Sequence, residues 1–257
     1  MSKIVNGVAN DFEFDMFPPN VEKIIITKDN YNRLFKNLQE ENMFLRDKIN
    51  KVIKTITLRN QEMTKLLYIE LLEILSFLGL NDEETIVNEF FIKLPTIKEV
   101  LIKDLTMYVE KDPASLSIEE VVLLNNSFHA VFIYRIANLL HNLNVCYVPR
   151  ILSEYAHSIT GIDIHPACRI GENFFIDHGT GIVIGETTEI KNNVAIYQGV
   201  TLGALSLKKP SSLKGVKRHP TILDNVTIYA NATILGGSTV IKENSVIPGN
   251  AFITSSN

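Results

Sequence analysis

From Ile164 onward a β-branched aliphatic residue returns at every sixth position, and neither a helix nor an alternating strand has that period. The marks are Ile164, Ile170, Ile176, Ile182, Thr188, Val194 and Val200, then Val216, Ile222, Ile228, Ile234, Val240, Val246 and Phe252. Twelve of these fourteen are Ile or Val, so the period is carried by the residues that best fit a buried, pleated surface. Such a repeat is the sequence form of a parallel β-helix. Each hexad is one short strand plus a corner, three hexads close a triangular coil, and the aliphatic side chains of successive coils stack inside. A sandwich of short strands would instead alternate with period two and turn at intervals of about 8 to 12 residues. The sixteen residues from Val200 to Val216 equal one hexad plus ten, which predicts a loop, Ser206 to Gly215, ejected from a corner.

The chain before the repeat reads as helical. Residues 1 to 26 form an irregular arm punctuated by Pro18 and Pro19, after which Leu34, Leu38, Leu45, Ile49, Val52 and Ile56 fall at helical spacings. A helix is expected from about Gln61 to Leu80, ending at Gly79 and Asn81, which suit a C-cap. A short helix from Glu84 to Phe91 should follow, then another opened by Pro95 at its first position and running to about Glu110. Pro113 pushes Asp112 out of the helical region, so Asp112 lies at a helix end and reads first as a turn aspartate. Ser117 with Glu120 forms a capping box for a helix from Ile118. A further helix covers Phe128 to Leu143, and a short one near Pro149 leads into the repeat. Two domains are therefore expected, an all-α domain over residues 1–150 and a β-helix over 151–257 that carries the loop 206–215.

Composition narrows the function classes. A net charge of −4 offers no excess of Lys and Arg to neutralise phosphates, so nucleic acid is not an expected partner. Two cysteines and no apolar segment at Met1 fit a reducing, cytoplasmic setting. The most apolar window, Leu66 to Leu80, is too short to span a bilayer and contains Glu70 and Glu73. There is no Walker motif, no CxxC and no dinucleotide-binding glycine run.

A solenoid interior is aliphatic, so chemistry must sit on corners, outer faces or grooves between subunits. Three polar clusters break the repeat: Asp163-Ile164-His165-Pro166-Ala167, Asp177-His178-Gly179-Thr180-Gly181, and Lys217-Arg218-His219-Pro220. Each alone reads as ordinary corner residues. Together they supply the parts of an acyl transfer to a hydroxyl: a histidine base, a carboxylate to orient it and a cation for an anionic substrate.

The run DIHPACRIGENFFIDHGTGIVIGETTEI, then VAIYQGVTLGA and VKRHPTILDNVTIYANATILGG, resembles the serine acetyltransferases, with KDPA at Lys111 to Ala114 and SFHAVFIYRIANLL at Ser127 to Leu140 extending the likeness upstream. The resemblance implies a left-handed parallel β-helix behind a helical domain. It also implies O-acetylation of L-serine by acetyl-CoA, in cysteine biosynthesis, with L-cysteine as a feedback inhibitor. It assigns His178 as the base, Asp163 as the aspartate orienting it, and His219 as a second active-site histidine. Asp112 and Asp177 match the carboxylates that hold the substrate amino group, and Arg218 matches the cation for its carboxylate. Gly203, Ala204 and Ala230 match the backbone that lines the coenzyme A groove.

The family assembles as trimers, commonly paired through helices that have no match before about Ile97 here, so a homotrimer is expected and a dimer of trimers is left open. Members usually end in a tail closing on Ile that inserts into cysteine synthase. The sequence stops at Ser255-Ser256-Asn257, so the expectation is that either the tail has been cut away or that partnership is absent. Two other readings are another hexapeptide acetyltransferase acting on a sugar hydroxyl, and a zinc hydratase or scaffold on the same solenoid. Zinc needs three converging imidazoles; only His165, His178 and His219 lie in the repeat, and each already has another role or reads as an ordinary corner residue, so no metal is expected.

Overall fold

The computed structural model describes residues 61–79, 82–114, 117–205 and 216–256. The expected arm over residues 1–26, the helical stripe from Leu34 to Ile56 and the loop Ser206 to Gly215 lie outside the described residues. The chain divides into two compact units, Met1–Glu70 and Leu71–Asn257. The first is described only where helix α1 (Gln61–Phe77) begins. Among the described residues the second holds everything that follows: α2 (Glu83–Lys111), α3 (Ile118–Leu124), α4 (Asn126–Asn142), α5 (Val148–Thr160) and thirteen short strands, β1 (Asp163–Ile164), β2 (Arg169–Ile170), β3 (Phe175–Asp177), β4 (Val183–Ile184), β5 (Glu189–Ile190), β6 (Ala195–Tyr197), β7 (Thr201–Gly203), β8 (Thr221–Ile222), β9 (Thr227–Ile228), β10 (Thr233–Leu235), β11 (Val240–Ile241), β12 (Val246–Ile247) and β13 (Phe252–Ile253). No described helix is long and apolar enough to cross a membrane.

Helix boundaries follow local chemistry with one exception. Gly79 closes the turn after α1 at φ +63°, and the Ser117 hydroxyl caps α3 by accepting from the Glu120 N–H at 3.2 Å. Asn125 does the same for α4 through the Phe128 N–H, 2.9 Å. The exception is Pro95, which lies inside one continuous helix rather than opening a second. An interior proline removes a hydrogen bond and costs about 3 kcal/mol. Here Pro95 is on the exposed side, while Val87 and Phe90 before it and Leu101, Met107 and Tyr108 after it are all buried. Packing on both sides holds the helix together through the break.

The strands form a three-sided prism of parallel sheets. Sheet A runs β1-β4-β7-β10-β13, sheet B runs β2-β5-β8-β11, and sheet C runs β3-β6-β9-β12. Its interior is a column of Ile, Val and Leu at 0 to 5% exposure, and each fully buried Ile contributes about 1.5–3 kcal/mol.

The true register differs from an unbroken six. Pairing brings Ile164 opposite Ile184, Ile184 opposite Leu202, Leu202 opposite Ile234 and Ile234 opposite Ile253. These coils are 20, 18, 32 and 19 residues long, so the first carries two extra residues, the third fourteen and the fourth one. Sequence counting misses this because two positions per hexad point inward, the strand residue and the corner residue two before it. Ile164 and Ile162 are both buried, as are Ile184 and Ile182, and Leu202 and Val200. A two-residue insertion therefore moves the aliphatic period from one inward row to the other without breaking it. Val216, Val246 and Phe252, expected inside, are 48%, 63% and 70% exposed, while Ile247 points inward. The third-coil insertion is fourteen residues rather than ten because Val216 is not a coil position, which removes one hexad from the count, while the change of inward row restores two residues.

The first coil has no coil above it, and the helices finish its hydrogen bonding. Ser153 Oγ donates to the Ile164 carbonyl at 2.8 Å, Asn138 Nδ2 to Pro166 at 2.7 Å and Tyr134 Oη to Cys168 at 2.8 Å. Arg135 donates to the carbonyls of Ile170 and Gly171, both at 2.6 Å. A bare sheet edge would be a template for aggregation. The guanidinium also grips the fully buried Asp104 through Nε and Nη2 at 3.0 and 3.1 Å, and Asp104 accepts from the Phe174 N–H at 2.8 Å. Burial pushes the Asp104 carboxyl upward, against the pull of Arg135.

Candidate active site

Sheet A is bordered by two edges, and the polar clusters divide between them. Asp177 and His178 stand on the edge where the chain leaves sheet C for sheet A. His165, Gly185 to Thr187, Gly203 to Ala204 and Lys217 to His219 stand on the edge where it leaves sheet A for sheet B.

The first edge is built by the two extra residues of the first coil. Asp177 pairs with Tyr197 in the strand ladder, and Gly199, at the next corner, donates to the carbonyl of Thr180 at 3.0 Å. The insertion therefore lies between Asp177 and Gly181. His178 sits in it at φ +58°, the left-handed region that a histidine seldom occupies. In the first coil the corner position of Gly199, Asn231 and Asn250 is filled by Gly181, also at positive φ, so the left-handed His178 is an inserted residue with no counterpart in the other coils. A strained residue held by its surroundings is a pointer to function. Gly179 beside it admits no side chain: a Cβ there would lie 2.4 Å from Ile162 Cδ1. The imidazole is largely exposed, with Nε2 3.7 Å from Asp177 Oδ1.

The helices hold this corner from outside. Ser127 Oγ donates to the His178 carbonyl at 3.3 Å. Tyr108, stacked edge-on against Phe128 and Phe175, accepts the Ile176 N–H at 3.2 Å. Tyr108 lies one turn before Asp112, the residue that ends α2. Asp112 is at φ −100°, outside the helix as the following proline requires, and its Oδ1 accepts the Ala114 N–H at 2.8 Å. The turn geometry read from the sequence is present. Asp163, at the start of β1 on the outer face of sheet A, is half-buried, and among the described residues its carboxylate makes no hydrogen bond to His178.

The second edge is denser. His219 is 8% exposed, and its ring lies where a Cβ on Gly185 would stand, 2.1 Å from Cδ2. Its Nδ1 accepts the Thr187 N–H at 3.1 Å. Burial first, then the adjacent Arg218 cation, lower its pKa to about 4. Arg218 is paired with Glu186 through Nη2. Burial raises the Glu186 carboxyl, but the hydrogen bond and charge of Arg218 outweigh that and hold it below the ordinary value. Lys217 donates to the carbonyl of Thr187 at 2.6 Å. His165 Nδ1 accepts the Ala167 N–H at 3.1 Å, which makes it a corner-closing residue.

Gly203 and Ala204 end β7 on this edge, and Ala230 lies on the other. A Cβ on Gly203 would come within 2.8 Å of the Leu235 Cδ2 methyl, so that side chain would have to shift. One chain thus joins Asp177 with His178, and Arg218 with Glu186 and Thr187, but it holds His178 and His219 at opposite borders of sheet A. Gly185, Glu186 and Thr187 were not singled out from the sequence. The ladder register that puts Ile190 opposite Ile222 also puts Thr187 level with His219, and the fourteen-residue insertion hides that offset.

A triangular prism of six-residue repeats with a helical cap, its polar clusters confined to the edges, defines a hexapeptide-repeat β-helix protein. Among the described residues no group of three or more His, Cys, Asp or Glu is placed to hold a metal. A scan of protein-family models finds no match. Over 127 residues the chain is 45% identical to a serine acetyltransferase of Bacillus pumilus, and over 118 residues 48% identical to one of Helicobacter pylori. These alignments take in 49% and 46% of this chain and 56% and 66% of the relatives, so the chain spans only part of their length. The solved structure of serine acetyltransferase isoform 3 from Entamoeba histolytica, in complex with cysteine, superposes with a TM-score of 0.71 at 33% identity, over 81% of this chain and 77% of that one. The chain belongs to the serine acetyltransferase family.

Proposed function

We propose that the protein transfers the acetyl group of acetyl-CoA to the hydroxyl of L-serine. The observation that carries the reading is the strained insertion that turns His178 out of the ladder beside Asp177, in a chain of this family. His178 takes the hydroxyl proton, the freed oxygen attacks the thioester carbonyl, and the tetrahedral oxyanion collapses to expel the coenzyme A thiolate. The thiolate then takes the proton from His178. Holding both substrates together removes most of the entropy of their encounter, so no covalent acyl-enzyme is required.

Asp163 orients the base, and Asp112 with Asp177 holds the serine ammonium. Arg218 holds its carboxylate, and His219 donates to the oxyanion. Gly203, Ala204 and Ala230 line the path of the pantetheine arm. The opposite placement of His178 and His219 supports a homotrimer in which each pocket joins the first edge of one protomer to the second edge of its neighbour. Residues 151–257 supply most of this chemistry, and residues 1–150 supply Asp112. L-Cysteine, the isostere of serine, competes for the same pocket, and the setting is cytoplasmic.

The test is free-thiol release from acetyl-CoA over a panel of acceptors, with and without cysteine. Serine-dependent release that cysteine suppresses is expected. A preference for a sugar hydroxyl would overturn the reading.

A further inference from the structure

Thr187 makes more contacts with the Lys217–His219 segment than any role as a corner residue requires. Its Oγ1 accepts the Arg218 N–H at 2.9 Å and the His219 N–H at 3.1 Å, which fills both acceptor sites of a hydroxyl. The same oxygen lies 2.9 Å from His219 Nδ1. With its lone pairs engaged, the hydroxyl has one group left to offer, its proton, and Nδ1 must receive it. Nδ1 also faces the Thr187 N–H at 3.1 Å, a group that can only donate. A ring nitrogen that meets two donors carries no proton of its own, so the single proton of the neutral ring is on Nε2.

We infer that Thr187 is a positioning residue that locks His219 in its neutral Nε2–H tautomer, so that the ring serves the reaction as a hydrogen-bond donor and not as a base. The inference rests on the proposed acetyl transfer only for what Nε2 does; the tautomer stands on geometry alone. The two histidines then have separate tasks. His178, exposed at its corner, is open to take and return a proton, while His219 presents a fixed N–H.

The charged and titratable groups facing His219 agree with a neutral ring. Arg218 and Lys217 in its own segment, and His165 in the first coil, oppose protonation, and Glu186 from the second-coil corner alone favours it. Gly185 completes the lock from the open side, since its missing side chain leaves the space the ring fills.

The experiment is nitrogen NMR of the full chain labelled with 15N-histidine, with His219→Gln identifying the His219 signals. At pH 7 Nδ1 is expected as an unprotonated acceptor and Nε2 as an N–H, with no titration above about pH 5. Thr187→Val removes the hydroxyl and should move the titration of His219 up by about one pH unit or more, whereas Thr187→Ser should keep the parental signals. A protonated Nδ1 in the parent, or a folded Thr187→Val protein with an unmoved titration, would overturn the inference. If Thr187→Val does not fold, the parental and Thr187→Ser spectra decide alone. Serine-dependent turnover of His219→Ala separates the two levels: parental turnover with the stated tautomer would sink the catalytic role of His219 and leave the lock in place.

Discussion

Gly185→Ala is the most incisive single change to the second edge. The glycine does not adopt a left-handed backbone, so alanine is compatible with its conformation and the whole effect falls on what the methyl meets. That is the His219 ring, 2.1 Å away at Cδ2 and 2.2 Å at Nε2. Ordinary contact begins at 3.4 Å, so the ring must retreat by about 1.3 Å, the difference between 3.4 and 2.1. It cannot slide freely, because Nδ1 is tied to Thr187. Overpacking of this kind costs about 1–3 kcal/mol of stability. A displacement near 1 Å of a group that acts on the transition state costs about 100-fold in turnover. Serine-dependent thiol release should fall by that factor, mostly in kcat, while a thermal melt shows a folded protein. In a His219→Ala background the same change should add little, since two lesions to one group are not additive. A folded Gly185→Ala protein within about three-fold of parental turnover would refute the placement of the ring over Gly185 as catalytically relevant.

Arg135→Met should cost about 3–5 kcal/mol at neutral pH, because it strands a buried carboxylate. With its partner gone, the Asp104 carboxyl rises further. A raised folded pKa means the folded state holds the extra proton, so stability falls as pH rises above the unfolded value of about 3.9. The deficit should therefore be smaller at pH 5 than at pH 8 in denaturant melts, and Asp104→Asn in the same chain should recover part of it. His219 has the opposite sign: its folded pKa of about 4 lies below the unfolded 6.5. The stability it contributes is complete above pH 6.5 and is lost as pH falls toward 4, and His219→Gln should flatten that part of the profile. Gly179→Ala, at φ +84° and with Ile162 and Ile176 in the way, should destabilise by about 2–4 kcal/mol in chemical denaturation.

The period of six reveals the prism because a β-branched residue on every inward strand position has no cheaper explanation. Its exact register stays hidden for an equally physical reason. Ile182 and Ile184 are both inward, so the insertion that creates the His178 corner leaves the count of six undisturbed. Helix ends were legible where a single side chain satisfies them, as at Ser117, and the end of α2 at Asp112 follows from Pro113. The continuity of α2 through Pro95 was not, since it depends on tertiary packing on either side. The polar clusters stood out as breaks in the repeat, but Thr187 looked like one more small polar corner residue until the third-coil insertion was placed. Its role depends on three distances to a segment about thirty residues away, and local spacing holds no trace of them.

The proposed acetylation of serine requires a pocket that joins the Asp177-His178 edge of one protomer to the Arg218-His219 edge of another. Mixing His178→Ala and His219→Ala chains tests it directly. Each alone should be nearly inactive, and trimers assembled at random from equal amounts should recover about a quarter of parental serine-dependent thiol release, since one interface in four then holds both histidines. A mixture no more active than either variant would contradict the shared pocket.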